Sequence, residues 1–449
     1  MRSSQEIVHR LRQEIYNVRL LIAPPRLSRI SRDFVSGLAQ PRSAIAQLRG
    51  GPFASEVKGI AELILQHRFP VFASEIATGP EIEWHRDYVS GKTTGLPYFR
   101  FIPYLDAERA GDHKNIWELN RHQHLVVLAQ AFLFFEDRRY LDELEIEVHD
   151  WLRQNPFQRG INWASALEVA FRSVSWLWVI HLVGSRLSPD LFEDMQRSLY
   201  LHGLHIENNL SFYFSPNTHL LGEAVALHAL GTMLPHLPAS LRWKRSGAAI
   251  VTRQMRAQVR KDGSHFEQST YYHVYALDMF LFHAVLSEQD EEYRSTLARM
   301  ADYVAALLGT DRRLPFFGDD DGGRWFYPYS DRATFARATL ATCNAYFGEN
   351  RWPCEEADCW PQALWWLGVQ PGEEIAPELE SKLFQDSGMT VLRSSDCKIV
   401  VDCGTFGRGS AGHSHADTLS ITVTAGDQEL LIDPGTFTYV GNPEDRNWF

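Results

Sequence analysis

The chain has 449 residues, long enough for two or three domains that each bury a core, and 45% hydrophobic against 22% charged residues marks a globular rather than a disordered protein. Its 44 basic residues are outnumbered by 56 acidic ones, giving a formal net charge of −12, and no Lys/Arg-rich block is present to track a phosphate backbone, which argues against nucleic acid as a partner. A polyanionic substrate stays open, because a cleft can carry a local sign opposite to the net charge.

The first segment, "MRSSQEIVHRLRQEIYNVRLLIAPPRL", has apolar residues at helical spacing interrupted by Arg and Glu, unlike the continuous apolar core of a signal peptide. No apolar run approaches the length that spans a membrane, so the expectation is a cytoplasmic protein with no membrane partner, or a periplasmic one if translation starts elsewhere. Residues 1–115 read as a helical and irregular region leading into a larger helical domain. From 116 to 346, apolar residues recur at helical period between short polar or Pro/Gly breaks. After "GINW", Leu167, Ala170, Val174 and Leu177 fall on one stripe, and further helices are expected over 188–210, 219–231, 240–258, 270–287 and 290–308. Residues 347–385, rich in Pro and acids, read as a linker.

From 386 to 449 the period becomes two. "MTVLRS", "KIVVDCGTF", "LSITVT" and "ELLID" read as strands, and the turn "AGDQ" makes an antiparallel hairpin that places Asp433 roughly opposite residues 419 and 420. The fold class is thus α then β: a large helical domain followed by the start of an antiparallel β domain. Five cysteines, at 343, 354, 359, 397 and 403, are too sparse for a disulfide scaffold, and Cys354 with Cys359 lacks zinc-module spacing.

Three constellations carry chemistry. His413 and His415 alternate by two, so on an extended backbone they point the same way, and Asp433 can converge on them across the hairpin. Imidazole plus carboxylate suits zinc, although only His415 and Asp433 look well placed and zinc takes three or four protein ligands; a polar loop with histidines at strand ends is the plainer alternative. "SPNTHLLGEA" puts Asn217, Thr218 and His219 before an apolar run, where Asn217 makes a natural helix cap. In "DGSHFEQSTYYHVYALDMF", Tyr272, Tyr275, Met279 and Phe282 form a stripe suited to core packing, yet Tyr271, Tyr272, His273 and Tyr275 crowd titratable groups into one and a half turns. Glu168 and Arg172 are spaced as an i,i+4 pair, "KNIWELNRHQH" reads as a polar helix face, and "FFGDDDGGR" reads as an acidic turn.

In order, "WELNRHQHL", "GINWASALEVAFRSVSW", "SPNTHLLGEA", "DGSHFEQSTYYHVYAL", "FGDDDGGR" and "GHSHADTLSITVTAGDQELLIDPGTFTY" resemble the heparinase II/III family of polysaccharide lyases over most of the chain. The resemblance implies an incomplete (α/α) toroid of helical hairpins followed by an antiparallel β-sandwich, and β-elimination on a uronic-acid-containing, acidic polysaccharide. Under it, Asn217 neutralises the uronate carboxylate with help from His219, Tyr272 is the acid and His413 the base, with roles that depend on uronate stereochemistry; Tyr271 is the runner-up for Tyr272. Trp163, Glu168, Arg172, Tyr271 and His273 are expected to contact substrate. The family's zinc is held by a His, an Asp and a later His. The first two match His415 and Asp433, and no histidine follows His415, so the resemblance implies a β domain truncated relative to the family and a zinc site lacking its third ligand. A glycoside hydrolase using Asp319 to Asp321 with Glu168, or a polysaccharide-binding protein without turnover, are the competing classes.

Overall fold

The computed structural model describes residues 3–27, 30–31, 34–72, 74–309, 312–354, 356–372, 380–407, 409, 412–436, 439–440 and 444. The N-terminal part forms α1 (Ser4–Ile22), α2 (Pro41–Leu48), α3 (Pro52–Ile64), the hairpin β1 (Arg68–Val71) and β2 (Ser74–Ala77), and the short helices α4 (Ala107–Ala110) and α5 (His113–Asn120). The long helices follow as α6 (Gln123–Phe135), α7 (Arg138–Gln154), α8 (Ala166–Val183), α9 (Pro189–Asn208), α10 (Thr218–Met233), α11 (Ser240–Gln258), α12 (Thr270–Leu286), α13 (Glu291–Leu307), α14 (Phe335–Phe347) and α15 (Glu356–Leu367). From α9 to α13 the ends fall within two residues of those expected from periodicity and caps.

The chain divides into two compact units, Met1–Ser36 with Ala54–Gly247 and Thr438–Phe449, and Gly37–Phe53 with Ala248–Phe437. In the first, α8 packs against α6, α9 and α10. Composition explains who is inside: α6, α8 and α10 are apolar nearly all round and buried on every side, whereas α7 buries only the stripe Tyr140, Leu141, Leu144, Val148 and Trp151 together with Glu147. Contrary to the expectation that no run approaches spanning length, α8 is long and apolar enough to cross a membrane. Within its unit it is a core helix that carries buried Glu168 and Arg172.

In the second unit α12 has the interior role, touching α13, α14 and α15. Here the structure corrects the linker reading, because α15 lies inside 347–385 and packs on α14 and α2. Trp365 and Trp366 are each 1% exposed, and the Trp366 ring meets Phe282 at 5.1 Å. Pro361 sits inside this helix, where the burial of the tryptophans outweighs local propensity.

The strands form one antiparallel sheet in the order β3 (Lys382–Leu383), β4 (Met389–Arg393), β5 (Cys397–Asp402), β6 (Ile421–Ala425) and β7 (Gln428–Leu431). Val391 pairs with Val400, Val400 with Thr422, and Ala425 with Gln428 across the expected two-residue turn, with a bulge between Val423 and Thr424. The more polar face is the buried one: Lys398, Asp402, Thr422 and Thr424 are covered, while Leu392 and Ile421 on the other face are exposed. Lys398 explains part of this, since its ammonium donates to Leu307 O at 3.3 Å at the end of α13 and to Arg313 O at 3.1 Å in the loop that follows.

Candidate active site

In the second unit, the start of α12, the loop 315–321 and the turn 412–415 are stitched together by backbone groups. Ser269 caps α12 by accepting from Tyr272 N at 3.0 Å, and its hydroxyl donates to Asp319 O at 2.5 Å. Asp319 N donates to His413 O at 3.0 Å. Gly318 adopts φ 70, and a Cβ there would lie 2.6 Å from His413 O, so a side chain is excluded both by conformation and by space.

These contacts bring a phenol, two imidazoles and two carboxylates together. The rings of Tyr272 and His413 stack with centroids 3.6 Å apart and planes 15° from parallel. His413 Nδ1 lies 3.0 Å from Asp319 Oδ2, and Nε2 lies 3.4 Å from Oε1 of the fully buried Glu267. Asp319 Oδ1 is 2.8 Å from His415 Nε2, and the Thr436 hydroxyl donates to the same oxygen. Burial alone would raise the Asp319 carboxyl, but the bonds from His413, His415 and Thr436 outweigh it and hold the group well below the usual carboxylate range. The hydrogen bond to Asp319 holds His415 above its ordinary value despite burial.

His415, Asp417 and Asp433 present ligand atoms within 4.8 Å of one another. His415 Nδ1 is 4.0 Å from Asp433 Oδ2. The expectation of only two ligands is therefore corrected: the turn after His415 brings Asp417 back as a third donor. Burial raises the Asp417 carboxyl. One imidazole and two carboxylates form a donor set that fits a divalent cation, zinc included.

Other expected residues in this unit lie apart from that cluster. Tyr271 packs its ring on Phe316 at 4.7 Å with the Arg332 guanidinium 5.1 Å from its centroid, and burial raises its phenol. His273, expected to touch substrate, is buried: Nδ1 accepts from His265 N at 3.2 Å and Nε2 lies 3.0 Å from Met300 O, so both ring nitrogens hold backbone. Burial pushes its imidazole down to about 4.

In the first unit, Asn217 caps α10 as expected, Oδ1 accepting from His219 N at 3.1 Å. The cap uses the amide oxygen, so capping and donation to a carboxylate call on different atoms. His219, on the first turn, is partly exposed. The expected Glu168–Arg172 pair is not what forms. Glu168 instead takes a bidentate bond from Arg121, Nε to Oε2 at 2.7 Å and Nη2 to Oε1 at 3.0 Å, and Arg121 also reaches Glu118 at 2.7 Å. Burial would raise Glu168, but Arg121, with Lys114 and His219 nearby, brings it below its ordinary value.

Arg172 lies 0% exposed, donating to Asn120 O at 3.3 Å and Asn162 O at 3.0 Å beneath the Trp151 ring, and Trp163 is 1% exposed. Both brace the core rather than presenting a surface to a sugar. Sequence reasoning missed Glu267, Asp417 and Arg121, and read Asp319 as part of an acidic turn or, in the hydrolase alternative, as a catalytic carboxylate. The only available signal was that Glu267, Asp319, Asp417 and Arg121 all lie inside the motifs quoted above.

Comparison with known proteins bears on this arrangement. A model of the heparinase II/III N-terminus matches residues 40–333, and one of the heparinase II/III-like C-terminal region matches 376–449. A heparin-sulfate lyase of Bacteroides stercoris is 23% identical over 431 residues, 87% of this chain and 57% of that protein. One of Pedobacter heparinus is 24% identical over 356 residues, 75% of this chain and 50% of that protein. The chain thus spans about half the length of these relatives. Among solved structures, a mutant heparan sulfate lyase from Pedobacter heparinus has a TM-score of 0.56 at 21% identity, covering 98% of this chain and 63% of that one. A heparinase III structure has a TM-score of 0.66 at 16% identity, covering 93% and 64%. Both share the fold.

Proposed function

Because the chain belongs to the heparinase II/III family, we propose that it is a polysaccharide lyase that cleaves a uronic-acid-containing polysaccharide by β-elimination. The observation that carries this reading is the Tyr272 ring lying on the His413 imidazole, with Asp319 and Glu267 flanking that imidazole. In the reaction the C5 proton passes to a base, its electron pair forms the C4–C5 double bond, the C4–O4 bond breaks and O4 takes a proton from an acid. The C5 proton becomes acidic enough only when the adjacent carboxylate is neutralised by donors. We assign that task to Asn217, assisted by His219.

His413 serves as base. Its Nδ1 lies 3.0 Å from Asp319 Oδ2 and its Nε2 3.4 Å from Glu267 Oε1, and these flanking carboxylates stabilise the imidazolium that forms when it takes the proton. Tyr272 supplies the proton to O4. In this reading His415, Asp417 and Asp433 would hold zinc, which would brace the turn that carries His413. Incubation with a panel of uronate polysaccharides, headed by heparan sulfate because of the names of the relatives, tests the proposal through the ultraviolet absorbance of the new conjugated double bond. Hydrolysis products without that absorbance, or binding without product across the panel, would replace it by one of the competing classes.

The hydrolase reading has weaker support. Asp319 is committed to two histidines, Asp320 is paired with Arg332, the Asp321 carboxylate accepts from Gly323 N at 2.9 Å, and Glu168 is locked to Arg121. Asp319 and Glu168 are held below their ordinary values, opposite to the raised pKa that a general acid needs.

A further inference from the structure

Helix α1 is anchored on one side and uncovered on the other. On the inner side Leu20 is buried, and the buried Asn17 amide donates to Asn209 Oδ1 at 3.0 Å while its oxygen accepts from Gln158 Nε2 at 3.0 Å and Asn208 Nδ2 at 2.8 Å. Gln13 Nε2 adds a bond to Asn208 O at 3.0 Å. On the outer side Ile7, Val8, Leu11, Ile15, Val18 and Ile22 are each 45 to 77% exposed. With about 100° between successive residues, these side chains fall within a stripe about 100° wide along the whole helix. A contiguous apolar patch of this kind on an anchored helix marks a surface for a partner.

The spacing says which partner. Val8, Leu11, Ile15, Val18 and Ile22 alternate by three and four, the a and d seam of a coiled coil, with β-branched residues at every a position and Leu or Val at d, the pattern that favours two strands. Gln13, Asn17 and Leu20, which hold the helix to its own unit, take the f and c positions, away from the seam. Charge sets the direction. Glu14 occupies a g position, and the exposed Arg12 and Arg19 occupy e positions. In a parallel pair each g residue meets the e residue five positions later on the other helix, so Glu14 faces Arg19 of the second copy, twice by symmetry; in an antiparallel pair the e arginines would face one another. Glu14 already accepts from Arg100 Nε at 2.7 Å, and a carboxylate has lone pairs for a second donor. We propose that α1 is a dimerisation helix that pairs in parallel with α1 of a second copy of this chain, about a twofold axis along the seam.

The test is sedimentation equilibrium of the full chain over a concentration series. The wild type should be a reversible dimer. Leu11→Asp removes an apolar side chain from both sides of the seam and should raise the dissociation constant about 100-fold or more, with the circular dichroism of the dilute protein unchanged. Arg19→Glu alone and Glu14→Arg alone should each weaken the dimer, and the two together should recover most of the affinity. Mild oxidation of Ile15→Cys should link two chains through position 15 of each, read by mass spectrometry of the joined peptides, because equivalent a positions meet only in the parallel pair. Should Leu11→Asp fail to fold, that cross-link decides the matter. A wild type still monomeric at about 1 mM overturns the proposal, as does a dimer indifferent to Leu11→Asp, which another surface must hold. Vesicles of anionic lipid that bind a monomeric wild type but not Leu11→Asp would assign the stripe to a membrane surface instead. None of these outcomes depends on whether the chain cleaves a uronate polysaccharide.

Discussion

The phenol of Tyr272 and the imidazole of His413 come from positions 141 residues apart in the chain and meet face to face, 3.6 Å between ring centroids. Tyr271, its neighbour in sequence, packs on Phe316 instead. The helix start therefore separates two tyrosines that sequence alone could not tell apart. Tyr272→Phe should keep the stack and the fold while lowering turnover by about 10²- to 10⁴-fold, the usual cost of losing a general acid. Tyr271→Phe should stay near the wild-type rate. Initial rates of double-bond formation with a separate binding measurement check both, and the reverse pattern would move the role by one residue.

Asn217 combines a structural and a chemical task, and two substitutions separate them. Asn217→Ala should cost about 0.5 to 2 kcal/mol through the lost cap and also collapse the elimination rate. Asn217→Asp keeps a good cap, so the melting temperature should hold, but it sets a negative charge where a carboxylate has to be neutralised, and the rate should still collapse. A fully active Asn217→Asp would leave only the cap.

The metal group is expected to divide along the two histidines. His413→Ala should abolish activity and leave bound zinc unchanged, while His415→Ala and Asp433→Ala should lose it and loosen the sheet. Asp417→Asn should weaken zinc, because Asp417 presents a carboxylate oxygen within 4.8 Å of the ligand atoms of His415 and Asp433. Elemental analysis after dialysis reads each variant, and full zinc retention in Asp417→Asn would place the third ligand elsewhere.

A pH effect follows from Glu223 on α10. Burial lifts its carboxyl to about 8, against the opposing bonds from Ser211 N at 2.7 Å and Ser211 Oγ at 2.6 Å. The folded chain holds a proton there that the unfolded chain releases near the ordinary carboxylate value. Between that value and about 8 the folded state binds more protons, so stability falls as pH rises through the window and levels off above it. Glu223→Gln, which can still accept from Ser211 N, removes this slope: its melting temperature should gain on the wild type from about pH 5 to about pH 8. Parallel curves for the two proteins would show that Glu223 is not protonated in the fold.

Periodicity along the chain determined most of the architecture. The switch from period 3.6 to period two marked the passage from helices to sheet, and the boundaries of α9 to α13 were legible because caps and apolar stripes are local signals. The same holds for the hairpin at Gly426 and Asp427 and for the cap at Asn217. The helix through Pro361 was not legible, since what holds it is burial of Trp365 and Trp366 against distant residues rather than propensity. Nor could spacing reveal which acid each basic group would meet. Glu168 stands one turn from Arg172 but bonds Arg121, 47 residues away, and the partner of His413 is Asp319, 94 residues away, instead of the hairpin's own Asp433. Local geometry sets which way a side chain leaves the backbone; only the packed fold decides what it finds there, because a buried charge must be paired with whichever partner the tertiary contacts deliver.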